Sequence, residues 1–276
     1  MANIGTIFRS FIDAVNQGQW AQIARFFDSH LCYMDHRVTL EDYISSLEGS
    51  ASIFQPKKTI DVLVQDDESG QLGARLIVRA TPTRALEDGD PAGQPIEFPE
   101  HVICKFEDGR ITDIKSITDM DVVREGLSHI EPSSETGPRV SDSANVDLAQ
   151  MYTSYIRCIN NQTMATELHK YCQPHVTWCG RQLALVEYRM LMEDSFSAIS
   201  GLVFKVRHLV VDKERQQLAV RIEFSGTPVK DYAGVEPNGK AVNFAEHAFY
   251  WLEDGKIRRV STVIDWDAYR RQMREP

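Results

Sequence analysis

An internal repeat constrains the fold of this chain more than any other feature of its sequence. Residues 93–121 and 239–267 follow one pattern, and the second stretch lies 146 positions after the first. The residues of the first stretch that recur at this distance are Gly93, Phe98, Glu100, His101, Asp108, Gly109, Ile111, Asp119 and Asp121. A chain of 276 residues is long enough for two halves that each bury a core. We therefore predict two copies of one domain.

The repeat extends upstream of these stretches. At the same distance of 146 positions, Arg75 and Thr81-Pro82 recur as Arg221 and Thr227-Pro228. At a distance of 145 positions, His30, Leu40 and Tyr43 recur as His175, Leu185 and Tyr188. Between the halves, residues 128–145 are polar, rich in Ser and Pro, and without apolar periodicity, which is typical of a linker. The sequence thus predicts a first copy at 1–127, a linker at 128–145 and a second copy at 146–276.

In each half, helical patterns precede strand patterns. Apolar residues at helical spacing predict first helices at 4–15 and 148–159, and shorter helices at 20–28, 39–48, 164–172 and 184–199. Strands are expected at 58–66, 72–81, 96–107 and 110–119, and in the second half at 203–212 and 218–227. Asp108-Gly109 and Asp254-Gly255 are typical hairpin turns. This order predicts an α+β fold with a mostly antiparallel sheet.

Composition narrows the classes of function. A net charge of -10 argues against a nucleic-acid-binding protein. No apolar run approaches the roughly 18 residues that would cross a membrane, and the first ten residues lack the pattern of a signal peptide. The five Cys are scattered without a CxxC pair, and no metal or nucleotide motif occurs. We expect a cytoplasmic protein without metal or organic cofactor.

The second half carries a recognisable pattern: Gly226-Thr227-Pro228, Gly239, Phe244-x-Glu246, Tyr250, Asp254-Gly255-Lys256-Ile257 and Asp265. It resembles the SnoaL-like polyketide cyclases, within the nuclear transport factor 2-like superfamily. The first half is similar but has Ala80 in place of the first Gly and an acidic loop at 86–90. The resemblance implies cone-shaped domains whose helices pack on a curved sheet around a pocket. It also implies sheet-to-sheet pairing, so we expect a monomer that acts as an intramolecular pseudo-dimer, with further oligomerisation left open.

Asp265 and Asp119 are the first candidates for acid–base chemistry. The resemblance implies an acid–base aspartate at the end of the last strand, where both residues lie. A carboxylate at the edge of an apolar cavity has a raised pKa and can exchange protons near neutral pH. The alternative is an aspartate that caps a strand end or a helix in solvent. We expect Asp265 to be the main acid or base.

Each copy also holds a Glu-His pair within a strand, Glu246-His247 and Glu100-His101. Alternate residues of a strand share a face. The face of each Glu is apolar in both copies, which favours a cavity wall, whereas the faces of the two His residues differ. We therefore predict that each Glu faces the pocket as an acid, base or hydrogen-bonding group. A bulge would exchange the faces and make His247 or His101 the base.

Other residues are candidates for substrate contacts. They are Trp178, Arg181, Tyr188 and Tyr250 in the second copy, and Tyr33, His36 and Tyr43 in the first. Turn formation and core packing are the alternatives for these side chains. Arg221 and Glu223 share a strand face, which would resemble the limonene epoxide hydrolase arrangement, but the apolar face of that strand is the opposite one. We expect both to point away from the pocket.

These features together predict a cofactor-independent biosynthetic enzyme. Its substrate would be a small, mostly apolar, oxygenated metabolite such as a polyketide or terpenoid intermediate, which it would cyclise, isomerise or dehydrate. The second copy fits the family pattern better and is the expected active pocket. The alternatives are a non-catalytic module that binds small molecules or proteins, and an epoxide hydrolase.

Overall fold

The computed structural model describes residues 3–83, 93–125 and 146–274. The predicted linker at 128–145 and the acidic loop at 86–90 lie outside these residues. Within the described part, no helix is long and apolar enough to cross a membrane.

The chain divides into two compact units, residues 1–133 and 134–276. Each unit contains one copy of the repeat, built as a six-stranded sheet with helices. The predicted duplication and the α+β class are therefore confirmed. The pairing of the copies into a pseudo-dimer stays a prediction.

The described helices of the first copy are α1 (Ile4–Asn16), α2 (Trp20–Ile23), α3 (Leu40–Phe54) and α4 (Met120–Glu125). Its strands are β1 (Phe27–Tyr33), β2 (His36–Thr39), β3 (Lys57–Asp66), β4 (Gln71–Ala80), β5 (Ile96–Glu107) and β6 (Arg110–Thr118).

The helices of the second copy are α5 (Leu148–Asn160), α6 (Met164–Glu167), α7 (Leu185–Ala198) and α8 (Trp266–Arg274), with a short 3-10 turn at Leu168–Lys170. Its strands are β7 (Cys172–Trp178), β8 (Arg181–Ala184), β9 (Ile199–Asp212), β10 (Gln217–Pro228), β11 (Val242–Glu253) and β12 (Lys256–Ile264).

The two sheets have the same topology. Their strand orders are β2-β1-β6-β5-β4-β3 and β8-β7-β12-β11-β10-β9. All neighbours are antiparallel except β1 with β6 and β7 with β12. In the second copy, apolar side chains from the helices and from the strand face beneath them form one core cluster. The cavity lies within this cluster, between the helices and the sheet.

The same pair of hydrogen bonds, here called the asparagine clamp, joins the first helix to the long strand at the sheet edge in both copies. The Asn160 amide donates to the carbonyl of Phe204 at 2.9 Å and accepts from its N–H at 2.8 Å. Asn16 makes the same two contacts with Lys58, at 2.8 and 2.7 Å. Phe204 and Lys58 therefore occupy equivalent positions in the two copies, although their side chains differ completely.

The structure also contains elements that the sequence analysis did not predict. The segments expected to be helical at 20–28 and 164–172 become strand at Phe27 and Cys172. The hairpins β1–β2 and β7–β8 are short, and β1 buries only Phe27 and Leu31 fully, so it shows no strand alternation. The closing helices α4 and α8 were missed as well, which has consequences for the two candidate aspartates.

Candidate active site

The second copy encloses an apolar cavity with a single carboxylate in its wall. The cavity has a volume of about 220 Å³ and lies between helices α5 and α7 and the sheet. Its wall is mostly aliphatic and aromatic, with Glu246 as the one charged side chain among the described lining residues. A lone carboxylate in such surroundings is a candidate for proton transfer.

Strand pairing decides that Glu246 faces the cavity. On β11, Glu246 is opposite Ile222 of β10 and Ile264 of β12, and both of these residues line the cavity. The next residue, His247, is opposite Arg221 and therefore lies on the other face of the sheet. The parity predicted from the sequence is correct for this copy.

The surroundings of Glu246 change its acidity. Burial raises the pKa of its carboxyl to about 7, and a hydrogen bond from Thr262 opposes that rise. The Thr262 hydroxyl donates to Glu246 Oε1 from the neighbouring strand β12. Part of the Glu246 side chain is accessible from the cavity that it lines. Near neutral pH the carboxyl is thus divided between its acid and base forms, as a proton-transfer group requires.

Tyrosine hydroxyls form the second chemical feature of the cavity. Tyr250 lies two residues after Glu246 on the same strand face, and its hydroxyl accepts a hydrogen bond from Tyr152 at 3.1 Å. Tyr188 lies across the cavity wall on α7, with its hydroxyl 2.8 Å from that of Tyr155. Burial raises the pKa of Tyr250 and Tyr188 well above the usual value, so both keep their protons. Tyr250 accepts from Tyr152 and can therefore donate its own proton to a substrate oxygen.

A loop between β10 and β11 completes the wall. Its Tyr232 hydroxyl lies 2.8 Å from the hydroxyl of Ser195 on α7, and both residues line the cavity. The carbonyl of Ala233 in this loop accepts from Arg270 of α8 at 2.9 Å. The loop is thereby held between α7 and α8.

The first copy contains a larger cavity with a different charge pattern. Its volume is about 380 Å³, and the predicted residues Glu100, Tyr33 and Tyr43 line it. Here Glu100 is paired with Lys58, whose Nζ lies 2.6 Å from Oε2. Glu100 therefore faces its cavity as predicted, but as half of an ion pair.

The structure places the two candidate aspartates outside both sets of lining residues. The Asp265 carboxylate accepts from the N–H of Ala268 at 2.9 Å and caps helix α8. Asp119 accepts from the N–H of Val122 at 3.2 Å at the start of α4. The sequence predicted both aspartates at the edge of a cavity, and this prediction is wrong. Each last strand continues into a helix, and the aspartate caps the first turn of that helix.

The cap assignment predicts a difference between two substitutions of Asp265. Asp265→Ala should lower the free energy of unfolding by about 1 kcal/mol, whereas Asp265→Asn should change it by only a few tenths, because asparagine is an equally good cap. Urea unfolding followed by tryptophan fluorescence measures both variants. Equal destabilisation by Ala and Asn would contradict a capping role.

The two histidines lie on the opposite face of each sheet, as the predicted parity requires. His247 is fully buried with Nε2 at 3.1 Å from Arg221 Nη1, and it does not line the cavity. His101 is opposite Arg75 in the strand pairing, on the sheet face away from its own cavity. No bulge exchanges the faces at these positions, so the histidines do not reach the cavity where a base is needed.

Among the predicted substrate contacts, Trp178, Tyr188 and Tyr250 line the second cavity. Arg181 does not, because it is exposed on the short strand β8. His36 is likewise exposed, on β2 of the first copy. Both residues directly follow the short turns of the hairpins β1–β2 and β7–β8.

Arg221 and Glu223 point away from the second cavity, as expected from the strand pattern. Neither lines it, and Glu223 instead pairs with Arg207 at 2.5 Å. An epoxide hydrolase arrangement built on these two residues is therefore not at the cavity.

Several lining residues were missed from the sequence. The position of Thr262 could have been predicted. It shares a strand face with Val260 and Ile264, and the pairing of Ile264 with Glu246 places that face on the same side of the sheet as Glu246. Trp266 and Lys58 have no comparable local signal. Their positions depend on the unpredicted helix α8 and on a contact between residues 42 positions apart.

The comparison with protein-family models agrees with this fold. A family model described as SnoaL-like polyketide cyclase matches residues 6–124 and 149–273. The chain is similar to the solved structure of a SnoaL-like polyketide cyclase from Agrobacterium tumefaciens, with 36% identity over 45% of this chain and 96% of that chain, at a TM-score of 0.43. It is also similar to TsrD from Streptomyces laurentii, with 17% identity over 49% and 98% of the two chains, at a TM-score of 0.42. No curated protein matches the chain.

Proposed function

The chain belongs to the family of SnoaL-like polyketide cyclases, and on that premise we propose that its second copy is an acid–base enzyme acting on a small polyketide-type carbonyl compound. In this proposal Glu246 is the proton-transfer group, the role that was expected of Asp265 from the sequence. The reaction is a cyclisation or isomerisation through an enolate.

One observation carries the proposal: Glu246 is the only charged side chain among the described residues that line the second cavity. Burial brings its pKa to about 7, close to the pH at which a general base works best. Among the described residues Glu246 has no ion-pair partner, unlike Glu100, which is paired with Lys58.

The chemistry follows from the residues around the carboxyl. As a carboxylate, Glu246 takes a proton from a carbon next to a substrate carbonyl. The electron pair of that C–H bond forms the carbon–carbon double bond of the enolate, and the π pair of the carbonyl moves onto its oxygen. The hydroxyl of Tyr250, which accepts from Tyr152 and keeps its own proton, donates a hydrogen bond to the developing oxyanion. The apolar wall strengthens this hydrogen bond, because it excludes water from the site.

The second half of the reaction returns the proton. In a cyclisation the enolate carbon attacks another carbonyl of the same molecule, a carbon–carbon bond forms, and that oxygen becomes an alkoxide. The carboxylic acid of Glu246 then protonates the alkoxide. In an isomerisation the proton goes back to a different carbon. Either course leaves the atoms of the protein unchanged at the end of a turnover.

The wall of the cavity selects the class of substrate. Its residues offer hydroxyl donors in an otherwise aliphatic and aromatic surface. A substrate with carbonyl oxygens on an apolar skeleton satisfies such a surface, whereas a charged molecule would lose its hydration without gaining a partner.

The proposal can be tested with 2-tetralone, a small apolar ketone with exchangeable protons beside its carbonyl. The full chain in deuterium oxide should accelerate the loss of these protons, as followed by proton nuclear magnetic resonance. Binding is measured separately through tryptophan fluorescence, because Trp178 and Trp266 line the cavity. Fluorescence quenching without accelerated exchange would favour a non-catalytic binding module and would contradict the enzyme.

A further inference from the structure

Among the differences between the two copies, one position changes the charge of the cavity wall. Lys58 is opposite Val78 in β4, just as Phe204 is opposite Phe224 in β10, and the two asparagine clamps hold both positions alike. Phe204 lines the second cavity and Lys58 lines the first. An ammonium thus replaces an aromatic ring on the same wall.

The ammonium of Lys58 stands beside Glu100 within the cavity. Their side chains are 16% and 11% exposed, and Nζ lies 2.6 Å from Glu100 Oε2. An ammonium has three N–H groups and a carboxylate has two acceptor oxygens. After the mutual contact, the pair can still donate to one ligand oxygen and accept from one ligand hydroxyl. Because the pair is neutral overall, a ligand anion would be repelled by Glu100 as much as it is attracted by Lys58.

The hydroxyl groups of the first cavity are also available to a ligand. Within the described part of the chain, no hydrogen bond is made by the side-chain hydroxyls of four lining residues: Tyr43, Ser46, Ser50 and Thr118. In the second cavity the equivalent of Tyr43 is Tyr188, which is paired with Tyr155. Likewise Ser195, the equivalent of Ser50, is paired with Tyr232. A polar molecule in the first cavity can therefore bind hydroxyls that the second cavity has already paired.

From these differences we propose that the first copy is a second ligand site, which binds a neutral hydroxylated carbonyl compound. The carbonyl oxygen of the ligand accepts from Lys58, a ligand hydroxyl donates to Glu100, and the hydroxyls of Tyr43 and Thr118 bind further oxygens. The larger volume, about 380 Å³ against about 220 Å³, allows a bulkier ligand than the second copy takes. This site does not depend on catalysis by Glu246.

Isothermal titration calorimetry on the full chain tests the ligand class with three matched probes. They are 4-hydroxy-1-tetralone, 1-tetralone without the hydroxyl, and the anion 1,2,3,4-tetrahydro-1-naphthoate. The titrations use the full chain carrying Ser195→Trp, which fills the second cavity so that only the first is measured. The hydroxylated ketone should bind at least about tenfold more tightly than either of the others, since buried polar groups left unpaired cost affinity. Equal affinities, tighter binding of the anion, or no binding of the hydroxylated ketone would overturn the proposal.

Variants then locate the site. The double variant Lys58→Met with Glu100→Gln removes both charges together, and Ser50→Trp fills the cavity from an exposed position on α3 with the pair intact. Both should weaken binding of 4-hydroxy-1-tetralone at least about tenfold. Phe204→Met, the matched change in the second copy, should leave this affinity unchanged. Unchanged binding by Ser50→Trp, or equal weakening by Phe204→Met, would place the ligand elsewhere and contradict the proposal.

Discussion

Replacing Glu246 with glutamine is expected to reduce the exchange of 2-tetralone protons by about 10²- to 10⁴-fold, the usual contribution of a positioned general base. Glutamine has nearly the shape of glutamate and can still accept the hydrogen bond from Thr262. It cannot take up a proton, so the loss reports the chemistry rather than the packing. Fluorescence quenching by the ketone should persist, because the apolar wall is unchanged.

Two controls accompany this substitution. Glu253→Gln makes the same chemical change at the exposed end of the same strand, and it should leave the exchange rate unaltered. Asp265→Asn keeps the cap of α8 and should also retain activity. An inactive Asp265→Asn together with an active Glu246→Gln would restore the assignment made from the family resemblance and remove Glu246 from the mechanism.

The exchange rate is expected to depend on pH through Glu246. Its carboxyl has a pKa of about 7 in the folded chain, raised by burial. The base is the ionised form, so the rate should be low in acid, rise with pH, and reach half of its plateau near pH 7. A profile with its midpoint near the ordinary glutamate value, about 4.3, would contradict control of the rate by a carboxyl whose pKa burial has raised.

Installing the lysine of the first copy in the second should move this profile. In Phe204→Lys, the new ammonium lies where Lys58 contacts Glu100, and it should pair with Glu246 in the same way. The pairing favours the carboxylate, so the midpoint should fall by at least about one pH unit. Because a weaker base removes protons more slowly, the plateau rate should fall about tenfold or more.

Phe204→Met is the matched control for the lysine variant. It removes the aromatic ring without adding a charge, and its midpoint should stay near pH 7. A profile of Phe204→Lys that keeps the original midpoint would contradict the view that the residue at this position sets the acidity of the cavity carboxylate.

The sequence predicted those features that depend on local periodicity. The alternation along β11 placed Glu246 and His247 on opposite faces, and the structure confirms this because no bulge interrupts the strand there. The role of Asp265 was not predictable in this way. An aspartate at a strand end can face a cavity or cap a helix, and the choice depends on Tyr269 and Met273, whose burial was not recognised as a helical pattern.

The charge state of each cavity lay beyond the sequence for a different reason. Lys58 and Glu100 are 42 positions apart, and only the pairing of three strands brings them together. Read by itself, a lysine at a strand start is an ordinary surface residue. The repeat showed that the glutamate had been kept in both copies, but it did not show that its partner had changed.

The asparagine clamps have a consequence for how a duplicated gene can diversify. Each clamp holds the backbone of the edge strand through its own N–H and carbonyl, so the side chain at that position is free to vary without loss of register. Mutation could therefore exchange a ring for an ammonium there while the scaffold stayed intact. A position of this kind lets two copies of one ancestral domain acquire different ligand specificities. It also offers protein engineers a single residue at which to change the specificity of either copy.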